Sequence, residues 1–220
     1  MAYEIVRSRR KTAAIYVRPN GAVEVRVPLK YPEEKIQAFV TQKADWIEKH
    51  RRAALERAKC REAFALNFGD TLRVLDGRYP ILQGERAAFD GKAFYLRADR
   101  AIKPQATALY REIAREILLK KIAFWSPSVG VQAAGLKING AKTRWGSCSG
   151  KNSLNFSWKL VMAPEAAVDY VVVHELCHIL EHNHSSRFWT QVARVLPDYS
   201  VRREVLKNFA CQLAEEDWES

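Results

Sequence analysis

The stretch Val171-Val172-Val173-His174-Glu175-Leu176-Cys177-His178-Ile179-Leu180-Glu181-His182-Asn183-His184 constrains this chain more than any other. Two histidines four apart on a helix lie about 40° apart around its axis, so both imidazoles can reach one metal ion. Neutral imidazoles at that spacing suit Zn²⁺, and a carboxylate beside the first of them can take a proton from water in an open position. Glu175 has that place without needing to be a ligand. A catalytic zinc usually needs a third protein ligand, and His184 follows six residues after His178. On an unbroken helix it would point away from the metal. It returns only if the helix ends near His182 and the chain turns, and Asn183 suits such a turn because Asn tolerates the left-handed conformation.

Chance places H-E-x-x-H in helices, where it is then two histidines on a polar face. Three features count against chance here. The helix is strongly apolar before the motif. Four of the five histidines fall between His174 and His184, and one of these has ligand-compatible spacing. The motif therefore reads as a metal site with an adjacent base.

Around it stand Thr143-Arg144-Trp145-Gly146-Ser147-Cys148, Asn155-Phe156-Ser157-Trp158 leading to Pro164, Asp169-Tyr170, Asn183-His184-Ser185, Phe188-Trp189 and Leu196-Pro197-Asp198-Tyr199. This set, dense from Thr143 to Tyr199 and looser towards Arg7 and Trp46, resembles the YgjP-like metallopeptidase family, which is similar to the SprT and WLM zinc proteases. The resemblance implies a zincin fold, zinc held by His174, His178 and His184, and Glu175 as general base. Metzincins share the histidine spacing, but their helix-ending glycine is Glu181 here, which argues against that class.

At 220 residues the chain can bury a real core. The expected class is α+β, with a β-rich N-terminal half over residues 1–104 and a zincin-like catalytic half over 105–220, packed as one unit. No apolar run approaches the ~20 residues of a membrane span. The start lacks an apolar signal region, and Cys60, Cys148, Cys177 and Cys211 form no C-x-x-C pair. A reducing cytoplasm is therefore expected, with no membrane association. Cys177 reads as a small buried hydrophobe.

The net charge is +11, unevenly spread: residues 1–61 carry 15 basic and 7 acidic side chains, while residues 122–220 carry 10 of each. The basic N-terminal third is either a footprint for nucleic acid or another polyanion, or a solvated face. No nucleic-acid motif accompanies it, which favours the solvated face.

Along the chain, Tyr3 to Arg10 reads as a strand. Ala14–Arg18 and Val23–Val27 flank Asn20-Gly21, a strong hairpin signal. Pro32 with Glu33 and Glu34 opens one long helix to about Lys59, with Ile36, Phe39, Val40 and Ile47 on its apolar face, helped by Trp46. His50, apart from the other histidines, reads as a surface residue. Short runs from Phe64 to Leu96, separated by Gly-Asp and Asp-Gly turns, predict a small antiparallel sheet. Leu109, Ile113, Ile117 and Ile122 predict a helix over 105–125, stopped by Pro127 and Gly130. Strands are expected at Leu136–Ile138, around Arg144-Trp145 and at Asn155–Leu160. Pro164 starts the catalytic helix, Ser185 caps the next, and Val201–Leu213 forms the last. The acidic tail at 215–219 is expected either frayed or pinned to the basic N-terminal region.

Function follows from the motif. The leading reading is a zinc-dependent hydrolase acting on peptides or proteins, with Glu175 as base. Arg144 and Tyr199 are candidates to assist, while Trp145 and Gly146 read as structural. A second reading keeps the metal and changes the substrate to a phosphoester or nucleotide phosphoanhydride. A third is a nucleic-acid-associated protein with a structural zinc, against which Glu175 speaks, because a structural site needs no base. His182 is the nearby candidate for a fourth, closing ligand.

Overall fold

The computed structural model describes residues 2–218 and is of the α+β class. Contacts group the chain into two compact units, residues 1–64 with 213–220, and Ala65–Gln212.

The smaller unit is built on three strands: β1 (Glu4–Ser8), β2 (Ala14–Val17) and β3 (Val23–Pro28), in the order β1-β3-β2. The hairpin expected at Asn20-Gly21 joins β2 antiparallel to β3, and Gly21 takes φ 77°, which a side chain would resist. β1 returns to lie parallel to β3, so β3 is central and buries Val23, Val25 and Val27. Ile36 and Val40 of α1 (Glu33–Gln42) and Ile47 of α2 (Ala44–Ala63) complete that core. The single long helix expected here is two. The chain leaves helical geometry at Lys43 (φ −102°, ψ 12°), where neither Gly nor Pro marks the break. Trp46 does not join the buried face. It is exposed and stacks on the half-buried His50 at 3.9 Å between ring centroids, with His50 Nδ1 2.7 Å from the Trp46 carbonyl.

The acidic tail is pinned through Asp217 and Trp218, and Glu219 lies outside the described residues. Arg61 pairs with Asp217 at 3.2 Å, and buried Trp218 packs 5.6 Å from the Phe64 ring. The smaller unit therefore contains 15 basic and 12 acidic residues, net +3, so the tail offsets much of the charge that marks the N-terminal third. Truncating Trp218 tests this anchoring. Trp218→Ala should cost about 3 kcal/mol, as for a buried Trp side chain, read from the midpoint of urea unfolding. An unchanged midpoint would show that the tail contributes nothing to this unit.

The larger unit opens with β4 (Thr71–Val74), β5 (Gly77–Gln83), β6 (Ala88–Phe89) and β7 (Phe94–Leu96), in the order β4-β5-β7-β6. β5 and β7 run parallel, and the run Phe64–Phe68 is not a strand. The helix α3 (Ile102–Val129) is longer than expected: Pro127 is accommodated in its last turn, and the chain leaves the helix at Gly130 with φ 82°. Its buried Tyr110 donates to the Arg73 carbonyl at 2.8 Å and packs between Phe94 and Trp158, each 5.5 Å away. That packing keeps the four-stranded sheet in the same unit as α3. Residues 97–101, just before the boundary expected at 104, form a turn held by Gln105 of α3, which bridges the Arg97, Arg100 and Ala101 backbone.

The second sheet has the order β8-β10-β9, from β8 (Gly135–Asn139), β9 (Gly146–Cys148) and β10 (Ser153–Ser157). β10 ends sooner than expected, and Trp158–Met162 forms a 3₁₀ turn. Three helices follow: α4 (Glu165–Cys177), α5 (Ser186–Val195) and α6 (Tyr199–Leu213). α4 is apolar nearly all round, as a helix buried on every side must be. Its polar start is braced by Asp169, which accepts from Trp125 Nε1 at 2.9 Å and pairs with Lys121 at 2.9 Å and Arg202 at 3.8 Å. No described helix is long and apolar enough to cross a membrane.

Candidate metal centre

α4 ends earlier than the motif suggested. Its last helical residue is Cys177, and His178 is the C-cap, still near helical geometry at φ −67°, ψ −15°. His174 and His178 therefore keep the i, i+4 relation even though the helix stops between His178 and Asn183. The Ile179, Leu180 and Glu181 amides then bond back to Leu176 and Cys177 at 3.0–3.1 Å, carrying the chain around in a turn. Asn183 Oδ1 accepts from the Ser185 amide at 3.1 Å, and Ser185 Oγ accepts from the Phe188 amide at 3.4 Å, capping α5 as expected. This turn brings His184 back to the other two histidines.

The three imidazoles converge through one kind of atom. His174 Nε2 lies 3.2 Å from His178 Nε2 and 3.0 Å from His184 Nε2, and the three candidate ligand atoms all fall within 4.8 Å of one another. A tetrahedral zinc with bonds of 2.0–2.1 Å would set its nitrogens about 3.3 Å apart. A ring N–H can bridge one such pair, but three nitrogens converging on one point fit a metal ion. Burial, then the neighbouring His178, His184 and Arg203 charges, pushes His174 down to about 3, so its ring is neutral and available. Burial likewise lowers His178, against a hydrogen bond from Nδ1 to the Glu181 carbonyl at 3.0 Å that fixes the ring and leaves Nε2 free. His174 Nδ1 is buried without a hydrogen-bond partner among the described residues. Phe188 of α5 lines all three rings at 4.4–4.9 Å.

Glu175 is 6% exposed and lies under the outer edge of β9. Trp145 and Ser149 bond to β10, the former accepting from the Ser157 amide and the latter donating to the Ser153 carbonyl, both at 2.9 Å. Strand alternation then turns Gly146 and Cys148 away from β10. The Cys148 amide donates to the Glu175 carboxylate. Burial pushes Glu175 up to about 7, while the Cys148 amide and the Arg144 charge pull the other way. Its Oε2 has no hydrogen-bond partner among the described residues.

The remaining candidates divide. Arg144 is exposed and touches the site through its charge on Glu175. Tyr199 stacks on Trp189 at 5.4 Å. His182 is exposed and outside the cluster. Cys177 is fully buried, and burial pushes its thiol up to about 11. Trp145 is half-buried against Phe209 at 5.7 Å.

A family model, the YgjP-like metallopeptidase domain, matches residues 11–209. The chain belongs to this family. A metal ion is thus part of its chemistry, which is that of metal-dependent hydrolases. No curated protein matches the chain. Among solved structures it is similar to the crystal structure of the metallopeptidase zymogen of Pyrococcus abyssi abylysin, with 21% identity and a TM-score of 0.39, covering 45% of this chain and 97% of that one.

Two features of the site were absent from the sequence reading. Gly146 passes so close to Glu175 that an added Cβ would lie 2.8 Å from its Cγ. From the sequence Gly146 reads only as structural. Arg203, on α6, acts on His174 by its charge. Its spacing from Tyr199, four residues on one helix, was the available signal.

Proposed function

We propose that this chain is a zinc-dependent peptidase in which His174, His178 and His184 hold the ion and Glu175 is the general base. The carrying observation is the pairing of three converged Nε2 atoms with an adjacent buried carboxylate whose Oε2 has no hydrogen-bond partner among the described residues. Three donors leave one tetrahedral position open, the arrangement of catalytic rather than structural sites. When bound, zinc would supply Lewis acidity, lowering the pKa of water and polarising a substrate carbonyl. Glu175 would take the proton of the attacking water and pass it to the leaving amine. The Cys148 amide holds one side of that carboxylate, which leaves Oε2 as the oxygen to take the proton. β9 is the edge strand of its sheet, which suits pairing with an extended peptide, although its Cys148 amide is engaged by Glu175. The four free cysteines accord with the reducing cytoplasm proposed for it.

Metal analysis tests the ligand set. The purified protein should carry about one zinc per chain, as one catalytic site requires. His184→Ala should lose it and His182→Ala should keep it. If His182→Ala lost the zinc while His184→Ala retained it, the assignment would be overturned. Turnover on a mixed peptide panel, measured on the same preparations, should follow the zinc content.

A further inference from the structure

Arg203, whose charge acts on His174, has no carboxylate paired with it among the described residues. α6 presents Tyr199 and Arg203 four residues apart on one face, and both meet Trp189 of α5. Tyr199 stacks on the indole with rings 23° from parallel, and the Arg203 guanidinium carbon lies 6.0 Å from its centroid. That indole stacks on His184 at 5.8 Å and stands 5.9 Å from His174. Arg203 is thus one ring away from the candidate ligands, at the outer limit of a cation–π contact.

The acids around it are engaged elsewhere. Asp198 pairs with Arg202 at 2.9 Å, Glu204 with Lys207 at 2.9 Å, and Asp169 with Lys121 and Arg202. Among the described residues no carboxylate pairs with Arg203. Arg203 is exposed, so its guanidinium is open to an incoming anion. A cation beside a metal site adds unfavourable positive field until an anion arrives. An arginine with its fork unspent binds a carboxylate in the geometry it prefers.

We propose that Arg203, held against Trp189 beside the histidine cluster, binds the carboxylate of an acidic residue next to the scissile bond and so directs the site to acidic peptides. The proposal rests on the peptidase reading above and goes beyond it in naming the substrate class. A charge-assisted hydrogen bond of this kind gives a preference of about tenfold or more.

The test uses zinc-loaded protein and matched peptides, blocked at both ends, that differ by one Glu or Gln beside the cleaved bond. The wild type should favour the Glu peptide about tenfold in kcat/KM, mainly through KM. In Arg203→Gln the Glu/Gln ratio should collapse towards one, and in Arg203→Lys part of it should remain. Zinc content and melting temperature are read on the same samples, and the lysine variant carries the test if the glutamine variant does not fold. A ratio unchanged in both variants, or no preference in the wild type, overturns the proposal. If no peptide is cleaved, the peptidase reading fails separately, and tryptophan-fluorescence titration with the same two peptides decides this one. Tighter binding of the Glu peptide that depends on Arg203 supports it, and equal binding overturns it. Inorganic pyrophosphate titrated in parallel gives the remaining outcome: binding weakened by Arg203→Gln while the Glu peptide is unaffected would assign the cation to phosphate and overturn the proposal.

Discussion

Glu175→Gln should keep the metal and the fold and lower peptide turnover by at least ~10², the lower end of what a positioned general base contributes. Glutamine preserves the length and shape of the side chain, and its carbonyl oxygen can still accept from the Cys148 amide that now meets the carboxylate. What it removes is the proton acceptor at Oε2, the buried atom that no described residue engages. The three histidine nitrogens are untouched, so metal analysis should give the wild-type value. Melting temperature should not fall either, because the substitution removes a carboxylate that burial already disfavours as an ion. Turnover and metal content measured together separate the outcomes. Metal lost with activity would make Glu175 a ligand, and full turnover with metal retained would falsify its role as base.

How far the sequence reached depends on the range of each interaction. His174, Glu175 and His178 were legible because their relation is set by one helical turn, which survives even though the helix stops at Cys177. The return of His184 was legible in kind but not in place. Asn183 bonds to the Ser185 amide once the turn is under way, while the reversal begins at Ile179 through amides bonded back to Leu176 and Cys177. Those are backbone bonds, open to almost any residue, so no side chain announced them. The break at Lys43 is silent for the same reason. Local patterns with side-chain chemistry fared better: the Asn20-Gly21 hairpin, the Ser185 cap and the strands at 71–96 all stand where turn residues and alternation put them. Long-range partners were out of reach. The acidic tail was expected either frayed or pinned to the basic region, but nothing singled out Arg61 and Asp217, and the spacing of Arg203 from Tyr199 leads to the histidines only once α5 and α6 fold against each other. Charge was misleading by itself, since the acidic tail belongs to the same unit as the basic third.

Gly146→Ala should be nearly as damaging as loss of the base. An added Cβ would lie 2.8 Å from Glu175 Cγ, 2.8 Å from Oε1 and 3.0 Å from Cδ, closer than side-chain carbons approach one another. The backbone at 146 is not in the left-handed region, so alanine meets no conformational penalty there and the effect is steric alone. The strand has little freedom to retreat. Gly146 pairs with Phe156, which is fully buried, and the Ser157 amide holds the neighbouring Trp145 carbonyl at 2.9 Å. Glu175 must therefore move, and a displacement of about 1 Å in a catalytic group can cost ~10² in rate. The overpacking should also cost about 1–3 kcal/mol in stability. Metal content should be unchanged, because the atoms nearest an added Cβ belong to Glu175 and not to a histidine. The decisive measurement is a double substitution. If alanine acts by moving the carboxylate, then Gly146→Ala added to Glu175→Gln should change turnover little, since the displaced group is already unable to accept a proton. Multiplied losses in the double variant would mean that Gly146 serves the reaction by some route other than Glu175. A lower melting temperature with full turnover would mean that the carboxylate recovers its place despite the methyl group.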